Sequence, residues 1–227
     1  MISTSFLRSV GAELVLIPEN GILTREGEVC HYYYQLVSGS VKWTNITPGG
    51  REIIQEMIIP GEPVASFTLF DGLPSVATAV AMENSEVLRL PKIEFETLLR
   101  THPELYQLFT QYFVRRLRYQ FMALKEFTNT KPIHRMRTLF EYFKVSGRSY
   151  CSHCSKVKLT RQQISFMTGL RIETVIRTIR SMATAKEVFI VRGKLYLEDS
   201  STELLSCSHP KLNLPVEFVA MEHVSVA

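Results

Sequence analysis

Apolar and polar positions along the chain change their period twice. After a short helical stretch around Thr4–Val10, residues up to about 100 carry brief apolar runs cut by Gly21, Gly27, Gly39, Gly49-Gly50, Gly61 and Gly72. Runs such as YYYQLVSG, SVKWTNI, EIIQEMII, SVATAVAM and EVLRLP are rich in β-branched and aromatic residues, which predicts short strands. Many short strands between regular turns predict a compact antiparallel barrel or jelly roll, with Pro48-Gly49-Gly50 at a hairpin tip.

From about Lys92 the period becomes helical. Ile93, Phe95 and Leu98-Leu99 mark a short helix, and His102-Pro103 restarts the chain. Residues 103–129 predict one long helix with proline in its first turn. Its Leu105, Phe109, Tyr112-Phe113, Leu117, Gln120-Phe121, Leu124 and Phe127 recur every three or four residues, a stripe that needs a cover. The cover is either the barrel or the same helix of a second copy. Asn129-Thr130-Lys131-Pro132 interrupts the pattern, with Thr130 as cap of a helix over Ile133–Phe143 and a polar loop at 146–156 beyond it. These breaks divide the chain into a β unit at 1–100, a long helix at 101–129, a third unit at 130–199 and an extension at 200–227. The extension contains LNLPVEFVAMEHVSVA, apolar enough to predict an added strand or a docked segment.

The third unit has the sharpest pattern. LTRQQISFMTGLRIETVIRTIRSM (159–182) predicts two short helices around a tight turn. Thr160 and Gln163 form a capping box, and Gly169 supplies the turn. In the second helix, from about Arg171 to Met182, Ile172, Val175, Ile176, Ile179, Met182 and Ala183 fall on one side. Glu173, Thr174, Arg177, Thr178, Arg180 and Ser181 fall on the other. Taken alone this is an amphipathic helix with a solvated face. The spacing, however, is that of a helix-turn-helix, whose second helix enters a DNA major groove. VFIVRGKLYLED then predicts a hairpin, or wing, tipped by Arg192-Gly193-Lys194.

Charge shifts the balance further. The whole chain is only +4, but residues 130–197 hold 14 Lys+Arg against 3 Asp+Glu. A basic segment coincident with the two-helix unit is what displacement of counterions from phosphates requires. Apolar runs stay well under the ~18 residues of a transmembrane helix, and no basic-then-apolar leader opens the chain, so the expected location is cytoplasmic.

The cysteines, Cys30, Cys151, Cys154 and Cys207, are too scattered for a disulfide framework. Cys151-Ser-His-Cys154 has zinc-ligand spacing but no second cluster at a suitable distance, so a plain loop is expected and no metal. Cys30-His31 reads as strand sequence with a buried cysteine. With His31 as the one histidine of the barrel stretch and no nucleophile–base arrangement, an enzyme is not expected.

Taken in order, YYYQLVSGSVK (32–42), GGREIIQEMIIPGE (49–62), LFDGLPSVATAVA (69–81), PELYQLF…RRLR (103–118) and TRQQISFMTGLRIETVIRTIR (160–180) resemble the cAMP-receptor-protein and fumarate-nitrate-regulator family of bacterial transcription factors. The resemblance spans about 15 to 199. It implies an α+β chain with an N-terminal jelly-roll domain of the cyclic-nucleotide-binding kind, a long dimerisation helix and a C-terminal winged helix-turn-helix. It also implies a homodimer on a pseudo-palindromic operator, an effector site in the barrel, and RNA polymerase as a partner. By position, Glu173 and Arg177 match base-reading residues, and Thr160, Arg161, Gln162, Arg171 and Thr174 match phosphate-contacting ones. Arg180 and Lys194 join the phosphate set by charge and placement. Ile172 and Ile176 depart from the family pattern and are candidate contacts to thymine methyl groups.

The effector site departs further. Ala65-Ser66 stands where cyclic-nucleotide binders have Gly-Glu, Ser75-Val76 where they have Arg-Ser, and Gln120 and Phe121 at the adenine-contacting positions. Without that arginine a buried phosphate has no counter-charge, so cAMP is not the expected ligand. An apolar or neutral effector among Val64, Phe67, Val76 and Phe121, or none, is the expectation. The iron–sulfur variant lacks its N-terminal cysteines. The alternative reading is a haem- or thiol-based sensor using Cys30/His31 or Cys151/Cys154.

Overall fold

The computed structural model describes residues 1–127, 131–151 and 153–197. A short helix α1 (Thr4–Ser9), capped by Ser3, leads into a β domain. Its strands are β1 (Glu13–Ile17), β2 (Ile22–Thr24), β3 (Tyr32–Ser38), β4 (Val41–Ile46), β5 (Glu52–Ile58) and β6 (Pro63–Val64), then, after helix α2 (Phe67–Asp71), β7 (Thr78–Ala81) and β8 (Ser85–Pro91). They form two four-stranded antiparallel sheets, ordered β1-β8-β3-β6 and β2-β7-β4-β5. Inward-facing Leu36, Val41, Trp43, Ile58, Val64, Ala77, Ala79 and Val87 fill the space between them. This is a jelly roll, and closure of the two sheets on one apolar interior follows from the alternation in each strand.

Four helices follow: α3 (Lys92–Thr101), α4 (Glu104–Phe127), α5 (Pro132–Ser146) and, after a loop, α6 (Arg161–Thr168). Helix α7 (Ile172–Thr184) and the hairpin β9 (Phe189–Val191) and β10 (Lys194–Tyr196) complete the fold. Two apolar faces of α4 have different fates. Leu105, Phe109 and Tyr112 are buried; the first two share a core with Tyr33 of β3 and Phe95 of α3, and Phe109 lies edge-on to both rings. Farther along, Tyr119 stacks on Tyr142 of α5 with ring centroids 3.7 Å apart. Val114, Leu117, Phe121 and Leu124 stand exposed.

The α5–α6–α7 module does not stand apart from the jelly roll. Ile54 and Met57 of β5 share one core with Met136, Leu139, Phe140, Ile164, Val175 and Ile179. Beside that core lies a buried ionic cluster. Glu56 of β5 is fully buried and accepts from Arg148 Nη1 at 2.9 Å and from the Tyr142 hydroxyl at 3.0 Å. Arg116 Nη2 of α4 is 3.4 Å from the same carboxylate, and Arg148 also donates to Glu62. The stretch 146–156, predicted as a polar loop, is in fact largely interior: Arg148, Ser149, Tyr150, Cys154 and Ser155 are buried. Pairing explains it, since Tyr150 bridges Val157 and Lys156 bridges Tyr196, adding a short third strand to the β9–β10 hairpin. The predicted cap Thr130 and the extension 200–227 lie outside the described residues.

Candidate nucleic-acid interface

The capping box predicted for α6 is present in full. Thr160 Oγ1 accepts from Gln163 N–H at 3.2 Å, and Gln163 Oε1 accepts from Thr160 N–H at 2.7 Å. Capping uses only an acceptor position of the Thr160 hydroxyl, so its own O–H remains a donor for a phosphate oxygen. Arg161 and Gln162 open the helix beside it, where backbone N–H groups point outward and favour an anion. Arg161 is half-buried, and that desolvation lowers its guanidinium from its ordinary value.

Gly169 ends α6 in the left-handed region at φ 67°, which most side chains resist. Two carbonyls of the turn accept from side chains, two of those side chains lying on other elements. Arg135 of α5 reaches Thr168 O, while Ser165 Oγ and Arg51 of the β4–β5 hairpin both reach Leu170 O. The jelly roll therefore holds the turn that sets the angle of α7.

Helix α7 begins at the cap residue Arg171 and buries Val175, Thr178, Ile179 and Met182. Opposite them Glu173, Arg177, Arg180, Ser181 and Thr184 are exposed, a stripe at steps of three and four. Thr178 corrects the sequence reading, which set it on the polar side. Its hydroxyl donates to Thr174 O at 2.7 Å, so the helix backbone satisfies it and its methyl can pack inward. Ile172 and Ile176 are half-buried and lie outside the central core cluster, and Thr174 is half-buried between the two faces. In the hairpin, Arg192 and Gly193 take φ 47° and 74°, the pair of positive values that a two-residue I′ turn demands. Arg192 and Lys194 are thereby held exposed at its tip.

The eight residues expected around an effector do not meet in one place in the single chain. Val64, Ala65, Ser66 and Ser75 are buried and Phe67 is half-buried, whereas Val76, Gln120 and Phe121 stand on the surface. Ser75 Oγ donates to Ala77 O at 2.7 Å, so it is committed to its own loop. What fills this part of the barrel is Trp43, edge-on to Phe67 at 4.7 Å, with the Arg116 guanidinium 4.8 Å from the indole centroid. The sequence reading missed this arginine. It sat within the RRLR of the long helix, where only its spacing from Tyr112 hinted at an inward direction. It is not an uncompensated cation: burial would pull its guanidinium down, but Tyr112 and Glu56 reverse the shift. Two indole- and hydroxyl-borne atoms here, Trp43 Nε1 and Thr24 Oγ1, are buried without a partner among the described residues. Cys30 is buried with its thiol donated to Tyr32 O, while His31 points to solvent, so the two do not form a joint ligand set. Among the described residues no group of three or more His, Cys, Asp or Glu is placed to hold a metal.

Comparison with known proteins agrees with this architecture. Residues 14–102 match the cyclic nucleotide-binding domain family. Over 186 residues the chain is 23% identical to the cyclic AMP receptor protein of Thermus thermophilus, covering 82% of this chain and 84% of that one. Over 167 residues it is 25% identical to the cAMP-activated global transcriptional regulator CRP of Haemophilus influenzae, covering 73% and 75%. The solved c-di-GMP responsive global regulator CLP of Xanthomonas campestris superposes with a TM-score of 0.68 at 17% identity, covering 85% of this chain and 96% of that one. With a jelly roll, a long helix and a winged helix-turn-helix in this order, the chain has the fold of these regulators, and its β domain is similar to the cyclic nucleotide-binding domain family.

Proposed function

We propose that this protein is a sequence-specific DNA-binding regulator that acts as a homodimer on a pseudo-palindromic operator. The observation that carries the reading is α7: one face buried in its module, the other presenting Glu173, Arg177 and Arg180 to solvent within a strongly basic segment. Arg177 can donate twice to guanine O6 and N7, and Glu173, one turn earlier, can accept from cytosine N4. Thr160, Arg161, Gln162, Arg171, Thr174, Arg180 and Lys194 would hold phosphates and fix register without reading sequence. RNA polymerase is the expected protein partner.

The relatives include a cAMP receptor, but this chain's barrel supports a different effector or none. Trp43 and Phe67 occupy the interior, and the nearby arginine is engaged by Glu56. Titration calorimetry should therefore show no low-micromolar cAMP binding. The central test is selection from a pool of random duplexes, followed by binding at several salt concentrations. A recovered inverted repeat whose affinity falls steeply with salt is expected. A monomer with no salt-sensitive retention on any duplex overturns the reading.

A further inference from the structure

The loop between α5 and α6 contains chemistry that DNA binding does not use. Ser155 N–H donates to Cys151 O at 2.7 Å, which draws these two positions together. The Cys151 and Cys154 thiols lie together, the Cys154 side chain within hydrogen-bonding reach of Cys151 Sγ. These positions are held in place from both sides. Cys151 N–H donates to Lys156 O at 2.9 Å, Tyr150 Oη meets Ser155 Oγ at 3.2 Å, and Leu197 N–H donates to Ser155 O at 2.9 Å. Ser149 and Ser155, on either side of the pair, sit at φ 51° and 58°, a conformation that non-glycine residues adopt at a cost.

The two sulfurs are not equivalent. Cys154 is buried, while Cys151 is partly open to solvent. Burial opposes a thiolate at Cys151, yet its acidity is raised overall. The backbone N–H and thiol of Cys154, the N–H of His153 and the charge of Lys158 all favour the anion. An accessible, acidic thiol next to a shielded one is the arrangement of a nucleophilic and a resolving cysteine. A structural zinc needs four ligands, and among the described residues no group of even three His, Cys, Asp or Glu is placed to hold one.

We propose that Cys151 and Cys154 form a reversible dithiol/disulfide site that reacts with small disulfides of the glutathione class. The Cys151 thiolate attacks one sulfur of the disulfide, forming a mixed disulfide and expelling one thiolate. Cys154 then gives up its proton and attacks Cys151 Sγ, expelling the second. The protein dithiol is oxidised to an internal disulfide, and the small disulfide is reduced to two thiols. Such a bond would tighten the connection that bears Arg148 on one side and the strand joined to the hairpin on the other.

The site can be read in the unaltered full-length chain. Trypsin cleavage after Arg148 and Lys156 releases residues 149–156, which contain these two cysteines and no other. The protein is equilibrated with mixtures of reduced and oxidised glutathione, quenched with acid, alkylated and mapped by mass spectrometry. The expected peptide passes from doubly alkylated to two hydrogens lighter than the dithiol, without adduct, and dithiothreitol restores it. In Cys154→Ser the same peptide should accumulate glutathione on Cys151, since the resolving thiol is gone. A peptide that stays doubly alkylated in fully oxidised glutathione overturns the proposal. So does one that ends as a stable glutathione adduct in the unaltered chain. Neither result depends on DNA, so the proposal and the DNA-binding reading fail separately.

Discussion

Arg177 and Arg161 are both arginines of the basic module, and they stand in different surroundings. Arg177 projects from the exposed face of α7, whereas Arg161 lies half-buried at the start of α6, beside outward N–H groups. Arg177→Ala should relax discrimination at one base pair of each half-site by about 1–3 kcal/mol. Arg161→Ala should weaken all sequences alike and reduce the salt slope by about one per subunit. Competition against operators with single base changes separates the two, and equal effects would remove Arg177 from base readout. Ile176→Ser is expected to alter preference at a thymine, because Ile176 is not committed to the core. A different residue reports on folding rather than recognition. Glu187 is held below its ordinary value of 4.5 by paired hydrogen bonds from Arg137 at 2.8 and 2.7 Å. A carboxylate so depressed adds stability above the ordinary range and loses it as pH falls through the lower folded value. The urea midpoints of the wild type and Glu187→Gln should therefore differ at neutral pH and converge in acid. A constant difference would show that the pair acts through packing instead.

Individual elements differed in how much of them could be read in advance. The capping box, Gly169 and the α7 stripe are local: each depends on residues within a few positions, and the sequence pattern contains all the parts. Thr178 misled because a hydroxyl that bonds its own helix behaves as an apolar group, which no hydropathy pattern encodes. The ionic cluster was illegible for a different reason. Glu56 lies 86 residues from Tyr142, and glutamate and arginine ordinarily mark solvated surface, so 146–156 read as a polar loop. Its burial also makes the cluster the joint between β5, α4 and the α5–α6 connection. Burial by itself would pull the Arg148 guanidinium down, and Glu56 and Glu62 overcome this and keep it charged. Glu56→Gln would leave Arg116 and Arg148 facing Glu62 as the remaining carboxylate of the cluster, at a cost of about 3–5 kcal/mol in urea unfolding. A loss below ~1 kcal/mol would mean that Arg148 escapes to water by undocking the module, which small-angle scattering would register as an expanded chain.

At the scale of the whole molecule, the outer face of α4 stands open. Val114, Leu117, Phe121 and Leu124 are exposed by 45, 53, 63 and 62% in the single chain. Their spacing of three, four and three is the seam of a two-stranded coiled coil. The inner face of the same helix is already spent on the jelly roll and on Tyr142, so the seam has no cover within the described residues. A second copy related by a two-fold axis would cover it with the same residues, and would set two α7 helices on one duplex. Leu117→Glu tests this at small risk to the fold, because the side chain already meets water in the single chain. In the symmetric pair it would set two carboxylates against each other across an apolar seam. Sedimentation equilibrium should give twice the single-chain mass for the wild type and the single-chain mass for the variant, with matching thermal midpoints at low concentration. Operator affinity should fall with it by about 10²–10⁴, the gain that linking two half-site contacts provides. A monomeric wild type, or a variant that stays paired, would show that α4 serves the jelly roll alone.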